Sequence, residues 1–511
     1  MLPYLDDMRK IIVTPSAQMR GSQRWNLNTV STLQMNQQLQ QLQSISPAMG
    51  RSESEPSVAV ANNGVRSRGI MGDMTVNIDF DMTSYFFDLE ADMPTMLAPS
   101  SFPSKPSSWS ELFDARFMAV FFDEVHQWYP IFDQRSFEAE YLHASTLAFV
   151  PSTHSCSLLM VSAIGALALN LQNRGAVGDR CNKHAVHAFQ MLHIVMSDHT
   201  LNGAQCLIFC AIYHLLCFKP IQAYEYLVSA SYKMQNLYKC DQGHHVVVTE
   251  LYRRAFYALY IMERELLVQL TLTDSGITAC EDTVPLPSGT FESGNTDGDT
   301  GTIEFYLAEI AMQKIMERSD RNLVMNTIHR PQAGMRMEYN GAKFRFDSIV
   351  AKEMDFQIAE WRRHLPPTIV FPDVGFCSSA LGLYLQIQYN AHMCAIYWHA
   401  LCKATIMNDQ SPSIVSACQK CLLSFCNFID AAAELLSKPV MLPQVSMTLA
   451  SIFSMSLAVI FVRTDQGSAG MGQQLEESLA KAVDVLRSYA SIYAAVGQWA
   501  DVLANKSGLE N

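Results

Sequence analysis

Residues 250–270, ELYRRAFYALYIMERELLVQL, restrict the fold more than any other stretch of the chain. Leu251, Ala255, Ala258, Leu259, Met262 and Leu266 recur at spacings of three and four, the period of one helix face. Tyr252, Phe256, Tyr257 and Tyr260 carry the apolar surface around much of the cylinder. A helix so widely apolar needs cover from several neighbours, which places it at the centre of a helical body. Arg253, Arg254, Glu263 and Arg264 then require solvent or partners, and the arginines are expected to anchor neighbouring helices through acidic groups, not to touch phosphate. Asp274, Ser275 and Gly276 mark a turn, and Pro285 and Pro287 around Leu286 exclude further helix.

The rest of the chain supplies that cover. Of 511 residues, 49% are hydrophobic, enough for a sizeable core. Helical periodicity recurs over residues 157–171, 183–196, 203–218, 220–238, 302–321, 342–364, 381–406, 413–436, 445–462 and 473–494. Strand-like alternation is confined to residues 245–248 and 368–371. The pattern predicts an all-α fold: a large multi-helical domain over residues 109–511, preceded by a mostly disordered Ser/Gln/Met-rich region over 1–108. The domain opens on Trp109, Leu112, Phe113, Phe117, Val120 and Phe121, with Ser108 or Ser110 as the cap, and its first helix ends near Trp128, Tyr129 and Pro130. A short helix around 136–142 follows, with Asp133 as its cap. Polar breaks at 288–301 and 330–341 separate parts of one body.

Charge and cysteine usage exclude several classes. A net charge of −13 with basic residues only in pairs (Arg9-Lys10, Arg253-Arg254, Arg362-Arg363) does not suit a chain that holds nucleic acid by bulk electrostatics, and gives no basic import run. All thirteen cysteines lie at or after Cys156, an odd number in apolar surroundings, as expected of free thiols in a reducing compartment. The start MLPYLDDMRK has no signal-peptide pattern. Residues 439–462 are uncharged and long enough for a bilayer, but their serines favour a buried core helix over a membrane-associated protein; residues 158–171 are too short to span.

Sites of chemistry are few. No nucleophile elbow, dinucleotide fingerprint, phosphate-binding loop or HExxH motif is present. Cys181, His184 and His187 share a helical spacing suited to zinc or copper, with His193 and His199 beyond, yet Ala185, Val186, Ala188, Phe189, Met191 and Leu192 interleave as core would. Cys418, Cys421 and Cys426 read as thiols lining a core. His244 and His245 beside Asp241 read as an exposed loop. No catalytic, cofactor, metal or DNA-binding residue is assigned, and the alternative is a small-molecule or metal-dependent helical enzyme built on residues 184–199. Two N-terminal patches stand out. Met35, Leu39 and Leu42 define a transient Gln-rich helix too short for a coiled coil. In residues 78–96, five acidic residues interleave with Ile78, Phe80, Tyr85, Phe86, Phe87 and Leu89. That composition fits an acidic activation segment, with Phe80, Tyr85, Phe86, Phe87 and Leu89 as its contacts, or equally a lead-in whose aromatics pack on the following domain.

The order of motifs resembles the fungal-specific transcription-factor domain, the helical middle region of fungal zinc-cluster (Zn2Cys6) regulators. FFDEVHQWYPIFDQRSF (residues 121–137) is similar to that family's opening, LLMVSAIGALAL (158–169) to its next helix, and residues 203–238 to a following helix pair with Ala223-Tyr224 and Tyr226-Leu227. Glu250, Arg253-Arg254, Phe256, Tyr260, Arg264 and the closing Val284-Pro285-Leu286-Pro287 carry the strongest likeness, with Glu263 where Asp is usual. Trp361 with Leu365-Pro366-Pro367, and Tyr389-Asn390, resemble its later part, so that the likeness spans about 110–465. The resemblance implies a non-enzymatic nuclear regulator of a pathway gene set, secondary-metabolite clusters among them, with transcription machinery or a DNA-binding protein as partner, no membrane, and a homodimer as an open option. It also allows a small effector in an apolar Met- and aromatic-lined pocket. No cysteine precedes Cys156, so the family's zinc cluster is missing from this sequence, and DNA binding is expected to depend on a partner or on an upstream exon.

Overall fold

The computed structural model describes residues 81–93, 109, 112–175, 183–241, 248–291, 300–328, 346–438, 441–462 and 471–508. No β-strand occurs among them; residues 368–371, read above as strand-like, form a turn running into irregular chain. Pro366 and Pro367 preset that turn, and the carbonyl of Pro366 accepts from the amides of Ile369 and Val370. The Gln-rich patch, residues 245–247, His244, Phe80, Cys181, and most of both polar breaks lie outside the described residues.

Sixteen α-helices are described. The first, α1 (Met82–Asp92), stands inside the stretch read above as mostly disordered. Asp81 caps it, accepting from the amides of Thr83 and Ser84. Next, α2 (Ala115–Val120) is capped by Asp114 instead of a serine, and runs into a π-helical turn, Phe121–His126. The wider π turn buries Phe121, Phe122, Val125 and His126 together. Helix α3 (Gln134–Ser145) starts at Asp133, whose carboxylate accepts from the Ser136 hydroxyl at 2.8 Å.

Helix α4 (Thr153–Gln172) starts four residues earlier than its periodicity suggested, because Ser152 caps it. Its Gly165 lies against α2: a Cβ there would stand 1.9 Å from the Phe117 carbonyl oxygen. The segment expected as one helix over 183–196 breaks at Met191 into α5 (Lys183–Gln190) and α6 (Leu192–Ser197). Then come α7 (Leu201–Leu216), α8 (Pro220–Asp241) and α9 (Glu250–Gln269). After them α10 (Thr300–Ile328), α11 (Ser348–Arg363), α12 (Ala380–Ile406), α13 (Pro412–Ser437) and α14 (Val445–Val462) complete the central body. Helices α12 and α13 form an antiparallel hairpin whose tight loop turns at Asn408, at a left-handed φ of 52°. Two last helices follow, α15 (Gly472–Tyr489) and α16 (Ala494–Ser507); the sequence reading merged the start of α16 into its neighbour and missed the rest.

As its pattern required, α9 is central. Ala255, Phe256, Tyr257, Ala258, Leu259, Tyr260, Ile261 and Met262 are all at most 1% exposed, and α8, α10, α7 and α14 pack around it. Burying each such large side chain is worth about 1.5–3 kcal/mol. Helix α14, free of charge, is long and apolar enough to cross a membrane, as is α4, but 83% and 78% of the tested windows are buried inside the protein. Both are core helices here.

Candidate functional site

The polar ends of α9 fix its surroundings. Arg254 is fully buried, its Nε donating to Glu250 Oε1 at 2.9 Å, its Nη1 to the Pro130 carbonyl at 3.2 Å, with the guanidinium 4.2 Å from the Phe291 ring centre. Glu250 also receives the amides of Ser288 and Gly289, which ties the loop after Pro287 to the start of the helix. This tie holds the Glu250 carboxyl below its ordinary range despite burial. His126 accepts from the Phe132 amide, and burial together with the Arg254 charge pushes its pKa down to about 3. Glu263 receives the Ser275 amide and hydroxyl and so sets the Asp274-Ser275-Gly276 turn. Arg253 and Arg254 therefore brace structure, but their acid is Glu250 on the same helix and not one on a neighbouring helix as expected; Arg254 reaches the preceding segment through the Pro130 carbonyl.

At the acidic-aromatic segment, the face of α1 formed by Met82, Phe86 and Glu90 turns inward. Phe86 has no exposed surface and sits 5.6 Å from the Phe218 ring and 6.0 Å, edge-on, from Trp499. Tyr85 is half-buried beside Trp499, Leu89 is half-buried, and Phe87 stands half-exposed among Ser84, Asp88, Ala91 and Asp92 on the outer face. Glu90 Oε1 and Oε2 accept from the amides of Ile221 and Gln222 at 2.7 and 3.0 Å, so a residue of α1 caps the N-terminus of α8, where Pro220 supplies no N–H. Burial nevertheless raises the Glu90 carboxyl to about 7. Thr83 Oγ1 accepts from the Thr271 amide, just past the end of α9. The periodicity of Met82, Phe86 and Glu90 was a signal for this docking that the sequence reading did not use; its receptor, built from Phe218, Tyr493 and Trp499, could not be found without α16.

The sequence reading also missed a mostly apolar chamber of about 70 Å³ with one polar wall, lined from α9, α10, α12, α13 and α14. Glu265 lies on its wall, partly exposed by area yet densely surrounded by protein, as a cavity-lining residue should be. It accepts from Tyr384 at 2.7 Å, Tyr129 at 2.9 Å and Gln388 at 3.3 Å. Gln388 also donates to Glu309 at 3.1 Å, as does Gln313 at 2.9 Å. Burial lifts both carboxyls, Glu265 to about 7 and Glu309 to about 8, the latter helped by the Glu265 charge. Gln269 Nε2 donates to the Met447 carbonyl and Ser451 Oγ, while Gln269 Oε1, Gln313 Oε1 and His392 Nε2, on the same wall, are buried and have no partner. A larger hollow of about 200 Å³, lined by Arg174, Leu436, Lys438, Met441, Tyr489 and Tyr493 among others, has no such unpaired atoms.

The expected metal candidates separate. His184 is buried with Nε2 2.8 Å from the Leu112 carbonyl oxygen and its ring edge-on to Phe117, His187 is buried, and His193 and His199 are exposed. Among the described residues no cluster of three His, Cys, Asp or Glu side chains forms a metal-ligating group. Cys418 and Cys421 donate to the carbonyls of Ala400 and Cys394 across the α12–α13 contact, and Cys426 is buried beside them. These are core thiols, as expected.

Comparison with known proteins agrees with the architecture. Residues 118–363 match the profile of the family described as fungal specific transcription factor domain. A protein of Aspergillus rugulosus named "Putative transcription factor ecdB" is 26% identical over 419 residues, which is 71% of this chain and 66% of that protein. The chain thus spans just under two thirds of the length of this curated relative. No solved structure matches the chain. The π turn, α4, the α7–α8 pair and the α9 core with its proline-bounded loop all fall inside residues 118–363, the region that matches a fungal specific transcription factor domain.

Proposed function

We propose that the protein is a nuclear, non-enzymatic transcription regulator whose helical domain holds α1 as an acidic activation segment in a docked position. Support comes from the matched domain, the name of the relative and the composition of α1. The observation that carries the docked part is Phe86, fully buried between Phe218 and Trp499 while the acidic face with Phe87 stays outward. Docking sequesters the aromatic a coactivator groove would take, and release returns Tyr85, Phe86 and Leu89 to a partner beside the already outward Phe87. Promoter choice falls to a DNA-binding partner, and the target is a pathway gene set of the secondary-metabolite kind, as the family resemblance implies.

Residues 70–100 fused to a heterologous DNA-binding domain should activate a reporter, and the Phe86→Ala, Phe87→Ala double variant should not. A fusion of residues 70–511 should be weaker until Trp499→Ala loosens the dock. A silent wild-type segment sinks the activation role. Tight, sequence-selective DNA retention by the purified chain alone at moderate salt sinks the dependence on a partner.

A further inference from the structure

The chamber beside α9 is built for a cation that the chain does not itself provide. Every group that donates to its carboxylates is neutral: Tyr129, Tyr384 and Gln388 to Glu265, Gln388 and Gln313 to Glu309. Two other acids of the same body meet basic side chains, Glu250 with Arg254 at 2.9 Å and Glu281 with Lys314 at 3.9 Å, whereas buried Glu263 is held by the neutral donors of Ser275 and Tyr224. The other titratable groups on the wall are Tyr384, which burial keeps protonated, and His392, which burial and the Arg264 charge keep neutral. Glu309 Oε2, Gln269 Oε1 and Gln313 Oε1 are buried acceptors with no donor, so the region has acceptors to spare. A buried acceptor left without a donor costs roughly 1–3 kcal/mol, and two such acids sharing one Gln388 repel each other. Opposite them the wall is apolar, from Val268, Met316, Ile387, Ala391, Ala395 and Phe428.

We propose that this chamber binds a small aliphatic primary amine as its ammonium ion, the head held by Glu265 with the buried amide oxygens of Gln269 and Gln313 behind it, and the alkyl chain lying on Ile387, Ala391 and Phe428. An ammonium offers three donors and no acceptor, which complements the surplus of acceptors. Glu309, one hydrogen bond behind the wall and raised to about 8, is only partly ionised near pH 8 and adds part of a second negative charge. A free volume of about 70 Å³ admits a molecule on the order of half a dozen non-hydrogen atoms, where one water needs only some 10–15 Å³ by the same measure. An alcohol of equal length lacks the charge. This inference stands on the chamber and does not depend on the regulatory role.

The test is titration calorimetry and thermal melting of the full chain with n-butylammonium chloride at about pH 8, where the amine is still protonated. Potassium chloride, magnesium chloride, n-butanol and sodium butyrate serve as comparisons. Saturable heat and a rise in Tm with butylammonium alone are expected. Glu265→Gln, which keeps the shape and one acceptor oxygen but sets an amide N–H against a hydroxyl that donated to the carboxylate, should weaken binding at least tenfold, and Ala391→Leu should fill the space and abolish it. The proposal is overturned if butylammonium gives no saturable signal up to tens of millimolar, if butanol or either metal ion binds as well, or if Glu265→Gln binds unchanged. Should either variant fail to fold, the four comparisons on the wild-type chain still decide.

Discussion

Substituting alanine for Phe86 should free α1 from the body while leaving the rest of the domain folded. The ring is wholly buried against Phe218 and Trp499, and removing a core phenylalanine costs about 3–5 kcal/mol. An 11-residue helix is marginal in water, so α1 owes its helicity to docking. Its other attachments are modest. Met82 adds about 1.5–3 kcal/mol of burial. Glu90 adds little net, since burial lifts its carboxyl to about 7 against the pull of two amides and Lys219 and with the push of Glu225. The loss thus rivals the whole docking free energy, and a deficit of about 3 kcal/mol is roughly a hundredfold in the docked population. Hydrogen exchange read on the amides of Tyr85 to Glu90 should show protection falling at least that far, while amides of α9 stay protected. The pH dependence follows from Glu90: its docked pKa lies above the ordinary 4.5, so docking is firmest below that value and weakens as pH rises through about 7. Protection in the variant equal to that of wild type, or wild-type amides exchanging at unstructured rates, would refute the docking argument.

Glu250→Ala leaves Arg254 buried without its carboxylate and frees the amides of Ser288 and Gly289, so urea unfolding should show a loss of about 3–5 kcal/mol. Gly165→Ala puts a Cβ against the Phe117 backbone, which cannot swing aside as a side chain would; a destabilisation of at least 1–3 kcal/mol, read from the same curves, is expected. Glu309→Gln removes a carboxyl raised to about 8, a group that makes the wild type lose stability as pH climbs from about 4.5 to 8. The difference in Tm between variant and wild type should therefore grow in the variant's favour over that range, and a difference that stays flat would contradict it.

Part of the candidate regulatory surface was legible in the chain. The interleaved acids and aromatics of residues 78–96 marked the segment, but the sequence reading placed no helix there, and the inward face of Met82, Phe86 and Glu90 came from the structure. Where that face lands was not legible, because Phe218 at the α7–α8 corner and Trp499 on α16 come together only on folding. The chamber gave no local signal at all: Glu265, Gln269, Glu309, Gln313, Gln388 and His392 each look like one polar residue on an amphipathic helix.

What the sequence by itself determined is the all-α architecture and the central place of α9, since helical periodicity is local and an aromatic surface running round the cylinder has no stable position except the core. It also determined that Arg253 and Arg254 would seek acids, because a charge on such a helix cannot stay buried unpaired. The tertiary structure alone decided which acid serves which charge. Glu250 stands one turn from Arg254 and gathers a loop nearly forty residues on, while Glu265 and Glu309 meet across two helices with only neutral donors between them. Pairing of this kind depends on the register and crossing of separate helices, which no window of sequence encodes.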